Sequence, residues 1–562
     1  MNASLARRAP TLVALAVSLA VPCYSVGAPA LTESAAPAIS WQPCVPELVD
    51  KNFIDALGPR LECGTMPALL DKDAPSLGFV TVGLVRFKAG DPAQRRGAIF
   101  FNFGGPGGNP LDFLPGFGYL WSTRSLDHPL DGDKRRLADR YDLVAVIPRG
   151  LRGGSRFTCH ADEATGGHDP TVDLADWNWA GFVEDAQAYA AGCAADPLHP
   201  HVGTLQHVRD MEQARLALHE PVMNFVGISY GTWVGAFYAG TYPTQTGRMV
   251  LDSVMNYSGT FQGQVAMEPD ERQAFFERGA LRPAIAAPAV YGLGSDAAVV
   301  LARVQNMPHR AREAWAPLID TPAQLAAALT LADWIRDSGD ETQKALLARM
   351  QGFRFSTHPA VDNEIRGAAI EFAATAEGGR MPDPMTPHLV DFSVYSAVVC
   401  GDTIWRNDLK SLRTTANNIS ARYPAASGDS VTIGLICLHW PTAARWRPPM
   451  SQLGKAPPLL LVQAEFDPAT PMRGAIRAFS ATTNSYMIVA RDMTGHGVFG
   501  SSATPCIERG VSRFLLEGEL PSQRLSGCDF VPTPPTRSAR DVHGTLSEST
   551  VRDHLARRLR QI

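Results

Sequence analysis

The stretch from residue 223 to residue 242 constrains the fold of this chain more than any other. An apolar run leads into the turn G-I-S-Y-G at residues 227–231, and small and aromatic residues typical of a buried helix follow. A strand, a G-x-S-x-G turn and a helix in this order present a serine hydroxyl as a nucleophile. Side chains in place of Gly227 and Gly231 would collide with the neighbouring strand and helix. The pattern predicts that Ser229 is a nucleophile at the N-terminus of a helix.

Strand-like runs alternate with helical patterns on both sides of this turn. Strands are predicted, in chain order, at residues 77–87, 98–103, 141–147, 222–226, 248–252, 458–463 and 485–490. The first is expected to pair with the segment that follows it. Helices are predicted at residues 204–219 and 507–516, before the turn and near the C-terminus. This alternation favours an α/β fold with a mostly parallel sheet flanked by helices.

The middle of the chain has a different character. Strand-like runs are rare between residues 256 and 447, where helical patterns cover 269–279, 296–315, 322–351, 364–376 and 409–422. We interpret residues 256–447 as a helical cap inserted after the strand that ends at Asp252. The sheet core is then divided into residues 31–255 and 448–530, and residues 531–562 form a tail without an assigned role.

The N-terminus has the pattern of an export signal. Arg7 and Arg8 precede an apolar run at residues 11–21 that is too short to span a membrane, and small residues follow. Residues 1–30 are therefore predicted to be a signal peptide, which implies a secreted or periplasmic protein. Lipidation at Cys23 is the alternative, and Pro22 directly before it fits that alternative poorly.

The cysteine count fits an oxidising compartment. Eight cysteines remain after Cys23, and an even number in an exported chain indicates disulfides. Spacing alone leaves many pairings open. The simplest hypothesis pairs sequence neighbours: Cys44–Cys63, Cys159–Cys193, Cys400–Cys437 and Cys506–Cys528.

Composition and motifs exclude several classes of function. The formal net charge is −5, and no basic stripe runs through the body of the chain, so nucleic acid is not an expected partner. No later stretch is apolar enough to predict stable membrane insertion. Neither C-x-x-C nor H-E-x-x-H spacing occurs, and we predict no metal and no cofactor. The oligomeric state is left open.

A glycine-rich loop follows the predicted strand at residues 98–103. Its sequence, G-G-P-G-G at residues 104–108, lets backbone N–H groups turn toward a ligand. A phosphate-binding loop is the competing interpretation, but the Lys-Ser/Thr that would follow in a P-loop is missing.

The chain also supplies the partners that a serine nucleophile needs. A serine hydroxyl requires a base within hydrogen-bond reach and a carboxylate to orient that base. Asp467 follows one predicted strand and His496, between two glycines, follows the next, in the order Ser–acid–His. Asp252 is the rival acid and Glu465 a lesser one. The order of elements favours Asp467 as the acid and His496 as the base.

With its serine turn, glycine-rich loop, acid and histidine, the chain resembles secreted α/β-hydrolases of the proline iminopeptidase and tripeptidyl aminopeptidase family of serine peptidases. The matching motifs are C-G-T at 63–65, the loop at 104–108, Y-D-L-V-A-V-I-P-R-G at 141–150, the nucleophile stretch, V-L-D-S-V at 250–254, A-E-F-D-P-A-T-P at 464–471 and G-H-G at 495–497. The segment from Cys506 to Cys528 resembles the C-terminal segment of that family. The resemblance covers about residues 44–255 and 445–530, whereas the cap matches loosely.

The resemblance implies roles for particular residues. Ser229 would be the nucleophile, His496 the general base and acid, and Asp467 the orienting carboxylate. Backbone N–H groups of Gly105 and Tyr230 would form the oxyanion hole. Two departures put substrate preference in doubt: Ile147 stands where the family usually has Asp, and Asn109-Pro110 replaces the usual Ser-Gly.

The leading functional hypothesis is an exopeptidase that cleaves near a free N-terminus through an acyl-enzyme. A peptide with a free N-terminus would be its partner. Acidic cap residues could hold the substrate ammonium. The sequence does not choose among the candidates, which are Glu268, Asp270, Glu271 and Asp402. An esterase or lipase-like hydrolase with the same triad is the alternative, because fold does not fix substrate. A non-catalytic binding protein on the same scaffold is a third, which the intact triad disfavours.

Overall fold

The fold was analysed in a computed structural model that describes residues 38–160, 167–339, 342–376, 390–441, 449–500, 504–530, 551–552 and 555. The predicted signal peptide at residues 1–30, Cys23 and most of the tail at 531–562 lie outside the described residues.

One mixed sheet of ten strands organises the part of the chain that is described. Its spatial order is β1-β2-β3-β5-β4-β6-β7-β8-β9-β10. The strands from β5 through β10 in this order are parallel neighbours, and the pairings among β1, β2, β3 and β5 are antiparallel. The strands are β1 (Ser40–Pro43), β2 (Leu61–Leu69), β3 (Phe79–Phe87), β4 (Ala98–Asn102), β5 (Asp142–Val146), β6 (Met223–Ile228), β7 (Thr246–Asp252), β8 (Leu459–Phe466), β9 (Ser485–Thr494) and β10 (Leu525–Asp529).

The predicted mostly parallel sheet is confirmed, and one predicted pairing is wrong. β3 does not pair with β4, the strand that follows it; it lies between β2 and β5. β1, β2 and β10 were not predicted. β1 and β10 are short edge strands with many exposed positions, and β2 contains Gly64 and Pro67, which strands usually avoid.

Helices cover both faces of the sheet core. Before β7 they are α1 (Lys51–Leu57), α2 (Leu114–Thr123), α3 (Gly132–Arg140), α4 (Asp176–Ala194), α5 (Thr204–Ala217) and α6 (Tyr230–Thr241). Between β7 and β8 they are α7 (Phe261–Val265), α8 (Glu268–Phe276), which continues as a π-helical turn (Glu277–Leu281), α9 (Arg282–Ala286), α10 (Pro288–Tyr291), α11 (Ala297–Gln305), α12 (His309–Trp315), α13 (Pro322–Ser338), α14 (Gln343–Met350), α15 (Pro359–Ala376), α16 (Phe392–Gly401), α17 (Leu409–Arg422) and α18 (Asp429–Leu438). The remaining helices are α19 (Met450–Leu453), α20 (Met472–Ala481) and α21 (Pro505–Glu517).

The helices between β7 and β8, here called the helical insertion, contribute to two hydrophobic clusters. Residues from Phe276 to Ala373 form a core of their own, which includes Trp315. Side chains of α16, α17 and α18 instead belong to the cluster that also contains the sheet. The later part of the insertion, together with Phe261 and Val265 of α7, is therefore continuous with the sheet core, and the middle part is packed around itself.

Four disulfides join the cysteines as the sequence-neighbour hypothesis predicts. They connect Cys44 to Cys63, Cys159 to Cys193, Cys400 to Cys437 and Cys506 to Cys528. The third links the end of α16 to α18 within the insertion.

Candidate active site

Ser229 occupies a sharp turn between β6 and α6. Its φ is 58°, a left-handed conformation that non-glycine residues rarely adopt, and its side chain is buried. A Cβ on Gly227 would strike the carbonyl of Gly231, and one on Gly231 would strike the carbonyl of Asn102. Both glycines are thus required by close backbone contacts. The turn places Ser229 at the carboxyl end of β6, directly before the first residue of α6.

Asp467 and His496 are brought together from the ends of neighbouring strands β8 and β9. His496 Nδ1 lies 2.9 Å and 3.0 Å from the two carboxylate oxygens of Asp467. Both side chains are buried, and Nε2 of the ring has no hydrogen-bond partner among the described residues. A ring whose Nδ1 donates to a carboxylate keeps Nε2 as the available acceptor.

The charges around His496 favour its protonated form. Burial lowers the pKa of His496, but the Asp467 carboxylate, its hydrogen bond to the ring and the nearby Asp252 together outweigh burial and raise that pKa above the ordinary value. The arrangement stabilises an imidazolium, the species that forms when the ring accepts a serine proton.

Asp252, the rival acid, lies under the histidine loop. Its oxygens accept hydrogen bonds from the backbone N–H of Val498 at 3.0 and 2.9 Å and of Phe499 at 2.7 Å. Its carbonyl accepts a hydrogen bond from Ser229 N at 3.0 Å. Burial raises the pKa of Asp252 to about 7, against the effect of the two backbone donors. Asp252 therefore holds the backbone on both sides of the site, while Asp467 contacts the ring.

The sequence analysis missed Thr470. The loop after β8 turns back so that Ala469 N and Thr470 N donate to Asp467 Oδ1 at 3.0 and 2.9 Å, and the Thr470 hydroxyl donates to Oδ2 at 2.9 Å. These donors fix the carboxylate that faces His496. The signal was available, since D-x-x-T is a local pattern in which an Asp side chain accepts from its own following backbone. Glu465, the lesser candidate, instead accepts from Asp492 N at 2.8 Å.

The glycine-rich loop packs directly against the serine turn. A Cβ on Gly104 would lie 2.8 Å from Ser229 Cβ and 3.2 Å from Tyr230 N. Tyr230 is the first residue of α6, so its N–H has no acceptor within the helix. Gly105, the other predicted oxyanion donor, is the next residue of the loop. The structure thus brings the two predicted donors to adjoining backbone segments beside Ser229.

The two departures from the family pattern are structural in this chain. Asn109 Nδ2 donates to Arg152 O at 2.9 Å, and its Oδ1 accepts from Leu111 N at 3.1 Å. Ile147 is buried and its N–H donates to Gly83 O at 2.8 Å.

The four acidic candidates for a substrate ammonium are in different environments. Asp270 and Glu271 pair with Arg473 at 3.0 and 3.4 Å. Asp402 accepts hydrogen bonds from Thr204 N at 3.2 Å to each oxygen. Glu268 is partly exposed, and burial followed by the neighbouring Asp429 raises its pKa to about 8.

Neither a metal-binding cluster nor a helix able to cross a membrane is found within the described residues. No group of His, Cys, Asp or Glu side chains in that part of the chain has the geometry of a metal site. No helix there combines the length and apolar character that crossing a membrane requires.

The ten-stranded sheet, the serine turn after β6, and an acid and a histidine after β8 and β9 define an α/β-hydrolase. Comparison with known proteins agrees with this class. Residues 423–528 match the family described as "TAP-like protein", so the C-terminal part of the chain is a TAP-like domain.

The chain is similar over most of its length to named enzymes. It is 28% identical over 517 residues to tripeptidyl aminopeptidase of Streptomyces lividans, which covers 88% of each chain. It is 25% identical over 505 residues to carboxylesterase B of Mycobacterium tuberculosis, which covers 87% of this chain and 90% of the relative. Serine protease Hip1 of Mycobacterium tuberculosis is 25% identical over 224 residues, or 39% of this chain and 40% of the relative.

Proposed function

We propose that this protein is an exported serine aminopeptidase that hydrolyses peptide bonds near a free N-terminus. The observation that carries the proposal is the buried Asp467–His496 pair beside a strained serine turn, in a chain similar over 88% of its length to a tripeptidyl aminopeptidase. The four disulfides support export, because disulfides persist in oxidising compartments.

In this mechanism Ser229 Oγ attacks the scissile carbonyl while His496 Nε2 accepts its proton. Asp467 holds the ring and stabilises the imidazolium that forms. The N–H groups of Tyr230 and Gly105 bind the oxyanion of the tetrahedral intermediate. His496 then protonates the leaving amine. Water next attacks the acyl-enzyme, and His496 accepts a proton from this water and returns it to Ser229 Oγ. In the structure Nε2 is unpaired among the described residues, and such contacts often tighten only when substrate binds.

The carboxylates of Glu268 and Asp429 support recognition of a free amine. Glu268 is half-buried, and the nearby Asp429 is exposed to solvent. Their charges also act on the phenol of Tyr395. The Asp429 carboxylate adds to burial in raising the pKa of Glu268, so a cation beside these two groups would be stabilised by both. An α-ammonium group is such a cation.

Tyr395, on whose phenol both carboxylates act, lies close to the glycine loop. Asp391 N donates to Gly107 O at 3.0 Å, and Tyr395 follows one helical turn later on α16, with its N–H bonded to Asp391 O. A helical turn advances about 5.4 Å. An N-terminus held beside Tyr395 would therefore lie within a few residues of a carbonyl bound at the oxyanion hole, since an extended chain spans about 3.3–3.6 Å per residue.

The overall proposal is tested with chromogenic amides of single residues, dipeptides and tripeptides, each with a free and a blocked N-terminus. We expect wild type to cleave the free-amine forms and Ser229→Ala to cleave none. Cleavage of blocked amides alone, lost in the variant, would reject the aminopeptidase assignment.

The ammonium site is tested with Glu268→Gln against Glu271→Gln. The first should raise KM for free-amine substrates about tenfold or more, because an amide cannot ionise beside the ammonium as the carboxyl can. The second removes a carboxylate that already pairs with Arg473 and should change KM little. Equal KM values for Glu268→Gln and wild type would remove Glu268 from the site.

A carboxylic-ester hydrolase is the second candidate, favoured by the similarity to carboxylesterase B. The same triad cleaves both bond types. A ratio of kcat/KM that strongly favours simple acyl esters over every free-amine peptide amide would select this candidate.

A further inference from the structure

The first turn of α5 contacts both backbone segments that are proposed to bind the oxyanion. Thr204 is fully buried at the start of this helix, and its Oγ1 lies 2.7 Å from the hydroxyl of Tyr230. Tyr230 is the residue after Ser229, and its N–H is one of the two proposed donors. The side chain of that donor residue is therefore anchored on α5.

The same turn reaches the glycine loop through a second contact. His207, three residues after Thr204, accepts a hydrogen bond at Nε2 from Asn102 Nδ2 at 3.1 Å. Asn102 Oδ1 in turn accepts from Gly104 N at 3.0 Å. The Asn102 side chain thus connects His207 to the residue directly before Gly105, the other proposed donor.

Burial keeps His207 in the state that this contact needs. The ring is almost completely buried, and burial, with a smaller effect of Arg149, lowers the pKa of His207 to about 3. The imidazole is therefore neutral at physiological pH and retains an acceptor nitrogen for Asn102.

The helical insertion joins the same network. The Thr204 hydroxyl donates to Asp402, and both oxygens of Asp402 lie 3.2 Å from Thr204 N. Asp402 directly follows α16, two residues after the Cys400–Cys437 disulfide. Tyr230 is thereby connected to the insertion through a single threonine.

We propose that Thr204 and His207 are positioning residues that set the relative placement of the two oxyanion donors, and that Asp402 ties this placement to the insertion. The proposal rests on the proposed function, in which Tyr230 and Gly105 bind the oxyanion. Donors must lie about 2.7–3.1 Å from the developing charge, so small displacements weaken them. Neither residue contacts the reacting atoms; each acts through a neighbour.

The rate at which a fluorophosphonate labels Ser229 tests this proposal, because that reaction also develops negative charge on an oxygen in the oxyanion hole. Thr204→Val removes the hydroxyl with little change in shape, and Thr204→Ser restores it. We expect Thr204→Val to label tenfold to a hundredfold more slowly than wild type and Thr204→Ser to recover most of the rate. With a chromogenic substrate, the loss should fall on kcat and leave KM nearly unchanged.

A second pair of variants, at His207, distinguishes a positioning effect from misfolding. His207→Leu removes the acceptor for Asn102 and should slow labelling similarly, while His207→Gln keeps an acceptor and should be less affected. Circular dichroism establishes that each variant is folded, and Ser229→Ala gives the background.

The outcomes separate the two proposals. Labelling of folded Thr204→Val and His207→Leu within twofold of wild type would overturn the positioning proposal and leave the proposed function intact. A wild type that labels no faster than Ser229→Ala would overturn both. An equal loss in the Ser and Val variants of Thr204 would show that the hydroxyl is not responsible and would also overturn the positioning proposal.

Discussion

At the scale of single residues, two carboxylates compete for the role of acid, and the contacts distinguish them. Asp467 meets the His496 ring through both oxygens, whereas Asp252 binds the backbone N–H groups that follow the histidine. The sequence favoured Asp467 from element order alone. It could not show what Asp252 does instead, because that role depends on a loop 246 residues away in the chain.

We expect Asp467→Asn to lower kcat by about ten-thousand-fold, since an amide no longer fixes the required tautomer of the histidine. Asp252→Asn keeps one acceptor for the loop and should cost far less. Steady-state hydrolysis by the two purified variants measures the difference. If Asp252→Asn were the more damaging of the two, the assignment of the acid would have to be exchanged.

The acid limb of the pH profile follows from the His496 environment. The base must be neutral to accept the serine proton, so kcat/KM falls as pH decreases through the pKa of His496. Because that pKa is raised, the limb should lie above pH 6.5, the ordinary value for histidine. A profile of kcat/KM between pH 5 and 9 measures it. A limb well below pH 6.5 would contradict the proposed electrostatics.

At the scale of elements, the strands of the parallel sheet were predictable and several helix boundaries were not. Long apolar runs, such as those that form β4 and β6, predict buried strands. The predicted helix at 296–315 is two helices separated at Pro308, and the one at 322–351 is interrupted near Gly339, whose φ is 70°. Local breakers were visible in both, but helical composition on either side masked them.

The segment from residue 151 to residue 203 shows the opposite error. No helix is predicted there from the sequence, yet α4 extends over Asp176–Ala194. Its apolar residues do not follow a clear helical stripe, and its helix depends on packing against α18 and on the Cys159–Cys193 disulfide. Tertiary contacts of this kind cannot be recovered from local pattern.

The glycine loop gives a prediction at this scale. Gly104 has a φ of 95°, and a Cβ there would lie 2.7 Å from Ile228 O and 2.8 Å from Ser229 Cβ. Gly104→Ala should therefore displace the loop and lower kcat by about 10²–10³, the cost of a lost oxyanion donor. Gly495→Ala is the matched control beside the histidine, because among the described residues its Cβ would meet only Met493 Cε, at 3.4 Å. Comparable activity in the two variants would contradict the close packing of loop and serine turn.

At the scale of the whole molecule, the order of elements predicted a sheet core interrupted by helices, but not how the interruption is packed. Periodicity shows that the insertion is helical without showing which helices share a core. Residues of α16, α17 and α18 join the cluster of the sheet, while Phe276 to Ala373 form a second cluster. The division follows from which faces meet in space, and Asp402 lies on the side continuous with the sheet.

We expect the protein to unfold in more than one step, because each of the two hydrophobic clusters can lose its packing separately. Trp315 is buried in the second cluster, against Phe372, and Trp315→Ala should destabilise that cluster by about 3–5 kcal/mol. Leu143→Ala in β5 is the matched change in the sheet core, where about 2–5 kcal/mol is expected. Differential scanning calorimetry should show that Trp315→Ala lowers the temperature of one transition and Leu143→Ala lowers that of another. At temperatures below both transitions, Leu143→Ala should retain hydrolysis. A single transition that shifts alike in both variants would show that the insertion and the sheet unfold as one cooperative unit.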